Sequence, residues 1–270
     1  MLNKPVVLLS LMMPSSPVSY LLWISLLLLL ASAFLQAGRA AVLGWALFAV
    51  FWVGQIGHYL EIADYFNAGL FLGAGALSLY MAWIVGRRGS SSHACRWASY
   101  AAAASGIIYF PFAEVEPLNE ALIGFTASLT ANALQLFSVP AVQESWNMIS
   151  LNGSRVEIIL ACTAIESIAL FAGVILSVHA PLGRRMVALA ASTFSIYILN
   201  ILRNGFVLMA YGWSWFGRDS FEIAHNLIAK IGSTLALLAI SYLVFMLLPE
   251  LLSLIDELAA EVKPRRGDAA

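Results

Sequence analysis

The sequence predicts an all-α polytopic integral membrane protein with seven or eight transmembrane helices, and three observations carry that reading. The 270 residues are 61% apolar and 11% charged, with a mean hydropathy of +0.86, far from the ~45–50% apolar and ~25% charged of a soluble domain. The apolar residues fall into long runs. Each is close to the ~20 residues of helix that cross ~30 Å of hydrocarbon while keeping every backbone amide paired. The links between runs are short and polar, and the alternating strand-and-turn pattern of a barrel is absent.

The runs can be taken in chain order. Residues 18–36 follow "MMPSSP"; the stretch is long and lacks a small-residue cleavage site, so it reads as a retained helix rather than a signal peptide. Residues 41–59 and 67–86 are two further apolar spans. The next link, "GRRGSSSHACR" (86–96), is a cationic loop that leads into the alanine-rich run 97–112. The run 118–137 is the weakest, because Asn119, Glu120, Thr126, Thr130, Asn132 and Gln135 make it half polar. It is expected to lie partly in the interface or to line a polar cavity. Pro140 and Asn152-Gly153 are turn signals that predict a short external hairpin between residues 138 and 157. Three more spans follow at 158–178, 186–206 and 223–248. Trp213, Trp215 and Phe216 suit an interfacial aromatic belt. No internal repeat divides the chain. Residues 1–270 therefore form one membrane-embedded domain, with the catalytic part at about 111–250 and a short cytoplasmic tail at 251–270.

The net charge of -1 arises from 14 basic and 15 acidic side chains, which leaves no broad basic face for nucleic acid. Cys95 and Cys162 are too few and too differently placed for a disulfide framework. No histidines, cysteines or carboxylates stand at metal-ligand spacing, and no phosphate or dinucleotide loop occurs, so neither a metal nor a cofactor is expected.

Positive charge marks the cytoplasmic side. Arg184 and Arg185, together with Lys263, Arg265 and Arg266 in the tail, then make the sixth span run inward, the seventh outward and the eighth inward. Cys162 opens the sixth, Arg203 lies late in the seventh and His225 opens the eighth, so all three arrive at the outer interface. Placing the loop with Arg87, Arg88 and Arg96 inside as well leaves three runs between two cytoplasmic loops. Either that loop is external, or one run does not cross; the run 118–137 is the weakest.

These residues suggest chemistry. A thiol of pKa ~8.5 becomes a nucleophile when a neighbouring cation lowers that value, and burial opposes it. Arg203 is such a cation, and Asn200, Arg203 and Asn204 share one helix face through i, i+3 and i+4 spacing. Its fixed fork of donors could hold a thiolate or the oxyanion of a tetrahedral intermediate. Proton transfer would fall to His225, which titrates near neutrality. Glu166, one turn beyond Cys162, could orient the catalytic group or bond to a neighbouring helix. Lys230 lies off the His225 face. The same residues also have plain structural readings: a buried cysteine as a small hydrophobe, an arginine snorkelling to the interface.

Four ordered segments, "PFAEVEPLNEALIGFTA" (111–127), "ACTAIESIALFAGVIL" (161–176), "NILRNGFV" (200–207) and "AHNLIAKIGS" (224–233), resemble the archaeosortase/exosortase family. The resemblance implies a cell-membrane transpeptidase, its active site facing outside, that acts on exported proteins. Their C-terminal sorting signal comprises a short motif, of Pro-Gly-Phe type in the archaeal branch, a transmembrane helix and a basic tail. It matches Cys162, Arg203 and His225 to the family's catalytic positions, and implies a thioester resolved by a membrane lipid as acyl acceptor. Exosortases proper carry serine and glycine after the cysteine, whereas Thr163 and Ala164 stand here, which favours the archaeal branch. The third position can be arginine in relatives, which keeps Lys230 beside His225 as an open choice. Competing functions are a hydrolytic intramembrane cysteine protease and a small-solute or proton transporter.

Overall fold

The protein is described by a computed structural model covering residues 17–61, 63–88 and 92–262. The tail cations Lys263, Arg265 and Arg266 and part of the 86–96 loop lie outside the described residues. Among the described residues ten α-helices succeed one another: α1 (Pro17–Leu35), α2 (Gly38–Glu61), α3 (Tyr65–Arg88), α4 (His93–Glu114), α5 (Glu116–Leu136), α6 (Ile165–Ser177), α7 (Leu182–Gly212), the short α8 (Ser220–Glu222), α9 (Lys230–Leu247) and α10 (Glu250–Val262). Four segments are long and apolar enough to cross a membrane, Gly38–Glu61, Asn67–Arg87, Leu182–Gly212 and Gly217–Leu247, and Ser19–Leu35 and Ile165–Ser177 are shorter apolar helices. On α9 the apolar Leu235, Leu238, Tyr242, Leu243 and Met246 are all exposed, which fits a lipid-facing surface and not an aqueous one.

The fold is mostly helical but not wholly so. Between α5 and α6 lies a three-stranded antiparallel sheet in the order β1 (Val142–Gln143), β2 (Met148–Leu151), β3 (Ser154–Glu157), with Val142 opposite Ser150 and Leu151 opposite Ser154. Asn152 and Gly153 turn the β2–β3 hairpin with φ of 51° and 84°, the pair of positive φ values that a two-residue turn of right-handed twist demands. The sheet seats on the end of α7, where Asn152 Nδ2 donates to the Gly212 carbonyl at 3.3 Å.

The run expected to be helical over 158–178 is corrected. Its helix is only the 13 residues Ile165–Ser177, about 20 Å long at 1.5 Å per residue. Leu160–Cys162 form a 3₁₀ turn, Thr163 Oγ1 donates to the Leu160 carbonyl at 2.7 Å, and Ala164 adopts the left-handed region at φ 62°. That local hydroxyl bond competes with helix propagation, and the left-handed residue sets the new direction of the chain. The tail expected from 251 is also helical as far as it is described: α10 is amphipathic, burying Leu251 and Leu254 and exposing Leu252 and Ile255.

Side-chain contacts fix which ends lie together. The rings of His93 and His179 are 5.5 Å apart, so the start of α4 and the α6–α7 link share one end of the bundle. There Arg185 donates to the Leu176 and Val178 carbonyls, and Arg184 donates to the Leu247 carbonyl and pairs with Glu250. At the other end Tyr109 of α4 meets Glu166 of α6. Only Val115 separates α4 from α5. The far end of α5 packs Leu134 where Gly205 leaves room on α7. Both ends of α5 therefore lie at the Cys162 end of the bundle.

The tightest helix crossing is that of α4 and α6. A Cβ at Gly173 would stand 2.1 Å from Ser105 Oγ and 2.6 Å from the Ser105 backbone nitrogen, so the two helices approach closely through small residues. Gly173→Ala is expected to force them apart and destabilise the fold by about 1–3 kcal/mol. A thermal melt in detergent unchanged by the substitution would refute the close approach.

Candidate functional site

Cys162 sits in the turn before α6, buried, outside the helical segments. What holds the turn is its carbonyl, which accepts from Asn200 Nδ2 at 2.7 Å and from Asn204 Nδ2 at 2.9 Å. In a continuous helix that carbonyl would accept the amide of Glu166; here two side chains of α7 take its place. Both asparagines are buried. They stand on either side of Arg203 on the face predicted from their spacing. The guanidinium is thereby brought close enough to act electrostatically on both Cys162 and His225.

His225 lies in a π-helical stretch, Ile223–Ala229, between α8 and α9. Such widened turns recur at functional sites because they displace side chains from the regular helical register. The imidazole stacks on Phe221, centroids 5.2 Å apart and planes 9° from parallel, and Phe221 in turn meets Tyr211 edge-on at 5.5 Å. Lys230 is exposed at the start of α9 and also acts electrostatically on His225. Glu166, exposed in the first turn of α6, accepts a hydrogen bond from the Tyr109 hydroxyl at 3.4 Å.

The fold thus gathers Cys162, Arg203, His225, Asn200 and Asn204 at one end, as the span directions required. The two asparagines bond to the Cys162 carbonyl, but among the described residues no hydrogen bond links Cys162 Sγ to Arg203 or His225, and Arg203 Nε is buried without a partner. Burial pushes the Cys162 thiol above its usual value, and the bond to Ile159 and the charge of Arg203 pull the other way without overcoming it. Sequence reasoning expected Arg203 to hold the resting sulfur as an anion; burial of the turn works against that, while the charge of Arg203 works for it. The same reasoning passed over Tyr109 and Phe221, which look like ordinary interfacial aromatics, and named Thr163 without seeing that its hydroxyl shapes the turn. Among the described residues no group of three His, Cys, Asp or Glu could hold a metal ion.

A raised thiol pKa has a measurable sign. Below that value the neutral form dominates, so alkylation of Cys162 by a small thiol reagent should rise with pH through and beyond the ordinary thiol range. Arg203→Ala removes a cation that pulls the thiol down, and should slow labelling near neutral pH. A pH profile identical in the two proteins would show that Arg203 does not act on the thiol.

Comparison with known proteins accords with this geometry. The model of the transmembrane exosortase family (Exosortase_EpsH) matches residues 11–246. The chain is 30% identical over 257 residues to archaeosortase A of Haloferax volcanii, covering 81% of this chain and 83% of that protein. It is also 30% identical over 261 residues to archaeosortase A of Natronomonas pharaonis, covering 84% and 81% respectively. No solved structure matches it. With α1 to α8, nearly all of α9, the sheet and the Cys162 turn inside the matched region, the chain belongs to the transmembrane exosortase family, and both of these relatives are archaeosortases.

Proposed function

We propose that the chain is a membrane-embedded cysteine transpeptidase that cleaves a C-terminal sorting signal of Pro-Gly-Phe type from exported proteins and transfers them to a membrane lipid. The observation that carries the reading is the pair of hydrogen bonds from Asn200 and Asn204 to the Cys162 carbonyl. They tie the turn bearing the thiol to the helix bearing Arg203, so that nucleophile and cation are registered to one another.

The resting thiol is neutral, so the attack needs a base as it happens. His225 takes the Cys162 proton as the sulfur bonds to the scissile carbonyl carbon, and Arg203, whose Nε has no partner, receives the developing oxyanion. His225 then protonates the leaving nitrogen, the C–N bond breaks and the C-terminal helix departs, leaving a thioester on Cys162. A hydroxyl acceptor resolves it. Asn200 and Asn204 keep the turn in place throughout.

The topology follows from the shared ends. If α5 stays at the outer side, α1 to α4, α6, α7 and the Gly217–Leu247 segment make seven crossings. Arg87, Arg96, Arg184 and Arg185 then all lie on the cytoplasmic side, in accord with the positive-inside rule. The arrangement is supported by both ends of α5 lying beside Cys162 and by the His93–His179 contact. The site then faces outward, where a substrate tethered by its own helix meets it at high effective concentration.

The test is co-expression with a membrane-tethered reporter ending in a Pro-Gly-Phe motif, a transmembrane helix and a basic tail. Mass spectrometry of the reporter's new C-terminus distinguishes the outcomes. A lipid-linked product supports transfer, a free carboxylate the hydrolytic alternative, and an intact reporter rejects both.

A further inference from the structure

We propose that Glu166, held by Tyr109, is the general base of the second half-reaction and takes a proton from a hydroxyl acceptor. This rests on Cys162 being the nucleophile of the first.

The two proton-transfer groups near Cys162 lie on different elements. His225 and Arg203 come from the α7 and π-helical side, while Glu166 belongs to the first turn of α6 and is held from α4 by the Tyr109 hydroxyl at 3.4 Å. The left-handed Ala164 separates the 3₁₀ turn of Cys162 from that helix turn, so thiol and carboxylate both stand at the mouth of α6. Glu166 is exposed, and its charge reaches Cys162. Tyr109 occupies Oε1 only; Oε2 has no hydrogen-bond or ion-pair partner among the described residues. A carboxylate in the first turn of an apolar helix, with no cation paired to it among the described residues, marks function more often than packing. Its free oxygen is an acceptor in search of an O–H.

The chemistry of the acceptor follows. A carboxylate is too weak a base to strip the ammonium form in which an aliphatic amine stands at neutral pH, but it can take the proton of a hydroxyl as that oxygen bonds to carbon. The acceptor oxygen attacks the thioester carbonyl carbon, its proton passes to Glu166, the C–S bond breaks and Glu166 returns the proton to the sulfur. The products are an ester or acid and the free thiol. Water and a lipid alcohol share this chemistry, and product mass separates them.

The experiment is a single turnover of the full chain with the tethered reporter, following release of the C-terminal helix and the mass of the Cys162 peptide. Glu166→Gln should release the helix as the wild type does, slow resolution about 100-fold and accumulate a Cys162-linked adduct. Added hydroxylamine, which needs no base, should discharge that adduct as a hydroxamate. Glu166→Asp should partly restore resolution, and Tyr109→Phe should show the same partition more weakly; the latter carries the test if Glu166→Gln does not fold. Loss of helix release in a folded Glu166→Gln, full turnover by it, or an amide-linked product would overturn the proposal. If the wild type releases the helix but no adduct forms on Cys162 in any variant, the nucleophile assignment itself fails, and this inference with it.

Discussion

Cys162→Ala is expected to abolish release of the C-terminal helix from the Pro-Gly-Phe reporter. On the proposed mechanism neither Arg203 nor His225 replaces the sulfur: the guanidinium is no nucleophile, and His225 is the proposed base. Losing the nucleophile of a catalytic unit costs on the order of 10⁶-fold in rate, which places the variant below detection. The fold should survive, since the cysteine behaves as a small buried hydrophobe and its truncation changes stability by about 1 kcal/mol or less. Cys162→Ser keeps the shape but has a hydroxyl far less acidic than a thiol, so it should be nearly as inactive. Processing that persisted in the alanine variant would end the nucleophile assignment, whereas a transporter would tolerate serine.

Asn200→Ala combined with Asn204→Ala is expected to do damage that neither change does alone. The Cys162 carbonyl accepts from both amides, at 2.7 and 2.9 Å, so either bond by itself still satisfies the buried oxygen. Removing both leaves it unpaired at a cost of about 1–3 kcal/mol, and frees the 3₁₀ turn to relax toward the helix that Ala164 now interrupts. A displacement of about 1 Å at a reacting centre can cost about 100-fold, and the double variant should lose at least that in reporter cleavage. The two single variants should sum to less than the double, the signature of a shared partner. Additive effects in kcat/KM, or a double variant with normal cleavage, would show that the asparagines do not hold the turn.

How much of this was legible in the sequence varies by element. The runs near 41–59, 67–86, 186–206 and 223–248 were predicted from composition and length and appear as α2, α3, α7 and the Gly217–Leu247 segment, because in lipid only a helix pairs its own amides. The i, i+3, i+4 grouping of Asn200, Arg203 and Asn204 was equally plain, since helix periodicity fixes it. The hairpin at Asn152-Gly153 was announced by its turn residues, though not the third strand. The sixth run misled: "IILACTAIESIALFAGVIL" is mostly apolar, and composition cannot separate a 3₁₀ turn with a left-handed alanine from a helix. The choice was made by partners distant in the chain, Asn200 and Asn204. Tyr109 was invisible for the same reason, its role depending on Glu166, 57 residues away.

The sequence by itself determined a multi-spanning helical chain, the faces of its long helices and the kinds of reactive group it carries. These follow from local hydrogen-bonding need and from periodicity, which neighbouring residues set. Only the tertiary structure decided that both ends of α5 return to one end of the bundle, that α6 starts late, and that burial pushes the Cys162 thiol up. Those outcomes depend on dehydration, close helix approach and bonds between distant segments, which no local stretch of sequence contains.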